Sequence, residues 1–372
     1  MRREPVNARA VSDVAEVELV RVRVPLVAAL ASAHGTESIR DLVLVRVTLT
    51  DGASGWGECS ALARPTYSPE YTAGAWAMLR DELIPALWSD DGAEVVGHPM
   101  ANHALGAARL DASLRQRGRR LVEELGQRYG RPVEQLPVTA VVGRASSVDA
   151  VLAVVEARLA EGAVLIKVKV TPHPADLEVV TAVRATWPDL ALAVDGNGTL
   201  DNRSLSILDG LGLAYVEQPA PAEDLLASAG MAKRLGAPVA LDESITSIAS
   251  LELALTVGAG QVINVKPARL GGVHVAADLA QVAIDAGCGV FVGGMLESGV
   301  GRAAALAVAA LPVCTLPTDL GPSSRYLEPD LTTAVVADDR GWVTVPTGPG
   351  IGVEVVAERV DQTAVDRLVL RP

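Results

Sequence analysis

The sequence is short of the residues on which several protein classes depend. It has three cysteines, Cys59, Cys288 and Cys314, an odd number without CxxC spacing. That excludes a disulfide framework and suits a reducing compartment. Positive charge is also scarce: 32 Lys and Arg face 45 Asp and Glu, for a formal net charge of -13. Nucleic acid and anionic membrane surfaces need a basic patch, and are thereby excluded as main partners. A small anionic substrate is not excluded, because a few local lysines or a metal ion hold one. Long apolar runs are missing too. The most apolar stretch, GRAAALAVAALPV, is too short for a bilayer and runs into a proline. The opening MRREPVNARAVSDVAEVELV has two early arginines but no apolar run behind them, so no signal peptide is expected. The expectation is a soluble, cytoplasmic protein with no nucleic-acid or membrane partner.

What is present is a globular composition, 49% apolar and 21% charged over 372 residues, enough for a sizeable core and two domains. From about residue 137 to 320, short apolar runs alternate with helix-period segments. In SSVDAVLAVVEARLAEGAVLIKVKV, Ser147 reads as an N-cap, and Val148, Val151, Leu152, Val155 and Leu159 form one stripe. Gly162 then ends the helix and a β-rich run follows. Comparable runs end at residues 142, 169, 195, 217, 242, 266, 293 and 319, spaced by 22 to 27 residues. Eight strand–helix units of that length predict an α/β fold, a closed parallel barrel whose strand ends share one mouth.

The first part of the chain lacks this rhythm. LVLVRVTLTDGASGWGE reads as a hairpin turning at Asp51–Gly52. VELVRVRVP alternates like a strand, and helical patterns lie near residues 70–87 and 100–126. The expected division is an α+β domain over residues 1–135, the barrel over 136–334, and a tail over 335–372 that packs back on the first domain.

Side chains alternate along a strand, so Lys167 and Lys169 in VLIKVKV share one face and Ile166, Val168 and Val170 the other. The apolar face suits covering helices, which turns both lysines inward. The following strand ends place Asp195, Glu217, Asp242 and Lys266 in order around the ring, with Asn197 sharing the parity of Asp195 and Glu243 directly behind Asp242. Alone, each of these residues would read as a helix cap or surface charge; five in phase with the repeat do not. Three unpaired carboxylates on adjacent strands would repel one another and resist desolvation. A hard divalent cation resolves this, and oxygen-only ligands favour Mg²⁺ over zinc. No histidine lies at these ends. A lysine acts as a base when burial and nearby cations lower its pKa. Lys167 beside Lys169, and Arg269 three residues past Lys266, would supply that charge. A Schiff-base aldolase would need one lysine and no carboxylate cluster.

The segments KVK, DGN, EQP, DES and NVKPARLGG resemble the enolase superfamily, in particular its muconate-lactonizing subgroup. SAHGTESIRDLVLVRV, GWGECSALARPTYSPEY, GGMLESGVGRAAALA and TDLGPSSRY are similar to its o-succinylbenzoate synthase / N-succinylamino acid racemase family. The resemblance spans nearly the whole chain. It implies a (β/α)7β modified TIM barrel under an α+β capping domain built from the N-terminal segment and the C-terminal tail. It implies metal ligands Asp195, Glu217 and Asp242 for Mg²⁺, with Mn²⁺ as substitute. It implies Lys169 and Lys266 as acid/base pair, with Lys167 assisting. Loops carrying His34 and Tyr67 would close over a small carboxylate substrate. Asn197 and Arg269 would stand beside it, and Gly293, Gly294, Glu297 and Ser298 would line its succinyl side. The implied reaction is Mg²⁺-dependent syn dehydration of 2-succinyl-6-hydroxy-2,4-cyclohexadiene-1-carboxylate to 2-succinylbenzoate, a menaquinone precursor. The alternative is N-succinylamino acid racemisation with the two lysines as a two-base pair. A homo-oligomer is expected. One departure stands out: where the family commonly has a serine at the end of the first barrel strand, this chain has Val141 and Val142.

Overall fold

The structure, a computed structural model, describes residues 13–33, 35–89, 95–145 and 147–372. The expected substrate contact His34 lies outside them. The chain opens with three antiparallel strands, β1 (Val14–Ser32), β2 (Gly35–Leu49) and β3 (Ser54–Cys59). The β2–β3 hairpin turns at Asp51–Gly52, where the Leu49 amide donates to the Ala53 carbonyl at 2.8 Å and Gly52 takes φ 92°. Alternate residues of β2 enter different cores. Leu42 and Leu44 pack toward the parallel sheet and its helices, whereas Val43, Val45 and Val47 pack against the helices that follow. That two-sided burial explains why DLVLVRV reads as a nearly continuous apolar run.

Those helices are α1 (Thr72–Met78), α2 (Pro99–Gln116) and α3 (Leu121–Tyr129). The pattern near 70–87 is met by α1, a π-helical turn over Leu79–Leu83 and a 3-10 turn over Pro85–Leu87, while the pattern near 100–126 divides in two. Gly118, at φ 61°, adopts a left-handed conformation that ends α2 and redirects the chain.

After β4 (Gln135–Leu136) come seven parallel strands: β5 (Thr139–Val142), β6 (Leu165–Lys169), β7 (Leu192–Asp195), β8 (Val216–Glu217), β9 (Val239–Leu241), β10 (Val262–Val265) and β11 (Gly289–Val292). They neighbour one another in chain order. Between and after them run α4 (Val148–Ala160), α5 (Pro174–Thr186), α6 (Asn202–Leu208), α7 (Leu225–Ala232), α8 (Ile248–Val257), α9 (Pro267–Leu270), α10 (Val273–Asp285) and α11 (Gly299–Ala309). The Ser147 side chain caps α4, accepting from the Ala150 amide at 3.2 Å. Ile166, Val168 and Val170 pack with Val151, Val155 and Leu177 of the covering helices. On the opposite face, Leu165, Ala193, Ala240, Val262 and Phe291 of the strands form a layer with Tyr215, which directly precedes β8. The sheet is curled, and residues 315–319 bridge its two edges. Thr315 and Asp319 amides donate to β11 carbonyls, while the Thr139 amide donates to the Thr318 carbonyl at 2.8 Å.

The chain ends with β12 (Val343–Thr344), which pairs with β4, then α12 (Ala357–Thr363) and β13 (Ala364–Leu370). β13 pairs antiparallel with β1, so the C-terminal strand joins the N-terminal sheet. Among the described residues no helix is long and apolar enough to cross a membrane.

Two glycines let α2 lie directly on β3. A Cβ at Gly57 would sit 2.0 Å from the Ala104 carbonyl oxygen, and one at Gly55 the same distance from the Ala112 amide. The obstacle is helix backbone, which cannot rotate away. Gly57→Ala is therefore expected to cost about 3 kcal/mol or more in urea unfolding, the upper end for overpacked interiors. A loss below about 0.5 kcal/mol, the surface-substitution range, would contradict this packing.

Candidate active site

Lys169, Asp195 and Glu217 close β6, β7 and β8, and the register pairs Lys169 with Asp195 and Asp195 with Glu217. Asp242 follows β9, and Lys266 follows β10 at the start of α9. Their side chains meet in one cavity of about 140 Å³ together with Lys167, Tyr67 and Asn197. Gly294, Glu297 and Val141 also line it. Gly293, Ser298 and Arg269 do not line this cavity.

The charges interlock. Lys167, 2% exposed, donates to Glu217 Oε2 and Asp319 Oδ2, both at 2.6 Å, and its ammonium lies 4.8 Å from the Phe291 ring. Lys169 donates to Asp195 Oδ2 at 2.6 Å and to Asn197 Oδ1 at 3.1 Å. Lys266 donates to Asp242 Oδ2 at 2.8 Å and to the Tyr67 hydroxyl at 3.1 Å. Tyr67 in turn donates to Asp242 Oδ1 at 3.0 Å. Arg269 reaches both Asp242 Oδ1 and the Tyr67 hydroxyl.

Burial opposes the charge on Lys167, but Asp319 and Glu217 hold it well above the usual lysine range. Burial pushes the Glu217 carboxyl up to about 8; Lys167 opposes this, and Asp195, Asp242 and Asp319 add to it. Burial also acts against the Asp242 carboxylate, but Lys266 and Arg269 outweigh it and hold the group below its ordinary value. Burial opposes the charge on Lys266, as does Arg269, but Asp242, Tyr67 and Glu243 together hold it above its usual range. The expected cation beside Lys266 is present: Arg269 acts to lower the lysine, and Asp242 opposes it.

Three members of this network carry no role in the strand-end reading. Asp319 holds Lys167, and its other oxygen is buried without a partner among the described residues. Asn264 donates to Glu217 Oε1 at 2.6 Å. Gln218, fully buried with φ 36°, accepts from the Asp242 amide at 2.9 Å and donates to Ser244 Oγ at 2.7 Å, tying the end of β8 to the end of β9. Signals for all three exist: Asp319 ends the eighth of the sequence repeats, Asn264 shares parity with Lys266, and Gln218 sits in EQP.

Residues 150–360 match the family profile described as enolase C-terminal domain-like. The chain is 41% identical over 360 residues to the N-succinylamino acid racemase of Amycolatopsis sp., covering 93% of this chain and 96% of that one. The chain belongs to the enolase superfamily. It is also 35% identical over 359 residues to the o-succinylbenzoate synthase of Geobacillus kaustophilus, covering 93% of this chain and 94% of that one. A solved structure from Alicyclobacillus acidocaldarius, described as a probable mandelate racemase, matches with a TM-score of 0.85 at 35% identity, covering 96% of this chain and 99% of that one.

Enolase-superfamily sites combine a Lys or His base with divalent metal. The donor set here fits such an ion: Asp195, Glu217 and Asp242 offer only oxygen and are at most 4% exposed. Like charges crowd them, which a cation would relieve. Each is now turned to a protein cation or amide, and among the described residues no three acidic or histidine side chains form a ready-made cage. For such an ion to bind there, Lys169 and Lys266 would release their carboxylates.

Gly293 sets the placement of Lys266. A Cβ there would stand 2.3 Å from Asn264 Oδ1 and 2.8 Å from Lys266 Cε. Gly293→Ala is expected to lower kcat about 10- to 100-fold by moving Lys266 and Asn264 from their working positions. Unchanged kcat in the folded variant would show that Lys266 tolerates this displacement.

Proposed function

We propose that this enolase-superfamily enzyme is an o-succinylbenzoate synthase. It would dehydrate 2-succinyl-6-hydroxy-2,4-cyclohexadiene-1-carboxylate to 2-succinylbenzoate. The observation that carries the reading is the placement of Lys169 at the end of β6 and Lys266 just past β10, around one cavity, with Asp195, Glu217 and Asp242 between them. The similarity to named synthases supports it. On this reading residues 136–334 are the catalytic (β/α)7β barrel, with residues 315–319 at the eighth strand position. Residues 1–135 and 335–372 form the cap.

Asp195, Glu217 and Asp242 would hold Mg²⁺, which would offset negative charge developing on the substrate carboxylate. Lys169 takes the proton next to that carboxylate, leaving an enediolate. The same lysine, now protonated, delivers its proton to the departing hydroxide on the same face, so water leaves and the ring becomes aromatic. Lys266 stays protonated and faces the anion. Lys167 keeps Glu217 in place from below and adds positive charge near Lys169. Tyr67, Asn197, Gly294 and Glu297 contact the substrate from the cavity wall, and Val141 offers it an apolar surface in place of a hydroxyl.

A second reading, N-succinylamino acid racemase, is favoured by two observations. The chain is 41% identical to a named N-succinylamino acid racemase, and Arg269, beside Lys266, acts against the charge on that ammonium group. In that reaction one lysine removes the α-proton and the other returns a proton to the opposite face.

The test is turnover of the cyclohexadiene substrate, followed by ultraviolet absorbance in Mg²⁺ and then in excess chelator. Turnover is expected to stop with chelator, and Lys169→Ala to lose at least about 10²- to 10⁴-fold, the worth of one general acid–base group. Full turnover by Lys169→Ala, or in chelator, would contradict the mechanism. Racemisation without dehydration would assign the second reading.

A further inference from the structure

Two buried charges of the antiparallel sheet take no part in the chemistry above. Arg40 on β2 is 0% exposed and Glu58 on β3 is 1% exposed. Charges at that depth are costly unless their bonds do something apolar side chains cannot. Both reach across to the segment after β11, residues 293–298, which supplies Gly294, Met295, Leu296 and Glu297 to the cavity wall.

Arg40 Nε donates to the Leu296 carbonyl at 3.1 Å, and its Nη2 to the Ser60 carbonyl at 2.9 Å. Leu296 has φ 55°, a left-handed conformation that a side-chain-bearing residue keeps only under constraint. Glu58 accepts from the Ser298 hydroxyl, from the Ser298 amide at 3.2 Å and from the Gly301 amide at 3.3 Å. These groups form the start of α11. Ser60 steadies Glu58 from its own strand, donating to Oε1 at 2.8 Å. Glu297 is folded back so that its carboxylate accepts from the Met295 amide. Gly301 leaves the space this needs, since a Cβ there would lie 2.9 Å from Glu297 Cβ and 3.2 Å from Glu58 Cδ. The segment is thus held at its bend by Arg40 and at its end by Glu58.

We propose that Arg40 and Glu58 are positioning residues that set the shape of this substrate-facing segment. Neither residue lines the cavity, so neither is catalytic. The inference rests on the reading of that cavity as the substrate site, and it places their effect on binding rather than on proton transfer. Burial pushes the Glu58 carboxyl up to about 7, with the charge of Glu297 adding and the bonds from Ser298, Ser60 and Gly301 opposing. Its role as an acceptor for the Ser298 and Gly301 amides therefore does not depend on full charge, and an amide oxygen serves in its place.

The test uses the full chain with Glu58→Ala, Arg40→Met, Glu58→Gln and Ser298→Ala. Two readouts are taken: kcat and KM for the cyclohexadiene carboxylate and for an N-succinylamino acid, and amide hydrogen exchange of residues 293–301 by mass spectrometry. Glu58→Ala and Arg40→Met are expected to raise KM about tenfold or more while kcat stays within about threefold, the signature of lost binding. They should also speed exchange in residues 293–301 about tenfold. Glu58→Gln is expected to stay near wild type in both, and Ser298→Ala to fall between. A fall in kcat at constant KM would overturn the proposal, as would wild-type KM together with wild-type exchange in Glu58→Ala and Arg40→Met. Should those two variants fail to fold, Ser298→Ala decides: wild-type KM and exchange there would overturn it. If the wild-type enzyme turns over neither substrate, the functional reading fails, while the exchange comparison still decides whether Arg40 and Glu58 hold the segment.

Discussion

Lys167 stands between Glu217 and Asp319 at 2.6 Å from each, with almost no access to water. The strand-end site depends on this group. Removing one member of such a buried ion cluster typically costs about 3–5 kcal/mol, because the remaining charges are left uncompensated. Glu217 is fixed by Lys167 on one oxygen and by Asn264 on the other. Once Glu217 is fixed, the neighbouring strand ends follow from the register, Asp195 on one side and, through Gln218, Asp242 on the other. The ring of carboxylates is a consequence of parallel pairing plus one buried lysine.

The two lysines at the rim are held differently. Lys169 rests on Asp195 and Asn197, both from the β7 end. Lys266 is engaged by Asp242 and also by Tyr67, a residue of the N-terminal part. The antiparallel sheet and its loops therefore reach the site twice: through Tyr67 at Lys266, and through Arg40 and Glu58 at the segment after β11. On the proposed mechanism, either lysine would act as a base once its carboxylate had been drawn to another cation.

Much of this was legible in the sequence because two periods coincide. The two-residue alternation turned Lys167 and Lys169 to one face, and the 22- to 27-residue repeat set five charged positions at successive strand ends. The hairpin at Asp51–Gly52 and the Ser147 cap followed from local chemistry. What was not legible depends on contacts between distant segments. Arg40 and Leu296 are 256 positions apart, and Glu58 and Ser298 are 240 apart. No local pattern says that Arg40 of β2 and Glu58 of β3 will be buried. The division of the 100–126 pattern was hidden because Gly118 is one glycine among polar residues. Asp319 was visible as the end of the eighth repeat but not as the partner of Lys167, since pairing across the sheet's two edges requires the curl itself.

The central claim is that Asp195, Glu217 and Asp242 form one divalent cation site around which the lysines work. Titration of Mn²⁺ into the protein, followed by electron paramagnetic resonance, tests it without reference to any substrate. One tight ion per chain is expected in the wild type and in Lys169→Met. Affinity should fall about 10²-fold or more in Asp195→Asn, Glu217→Gln and Asp242→Asn, as expected when a ligand of a hard ion loses its charge. Equal Mn²⁺ binding by all three carboxamide variants, or none by the wild type, would contradict the account.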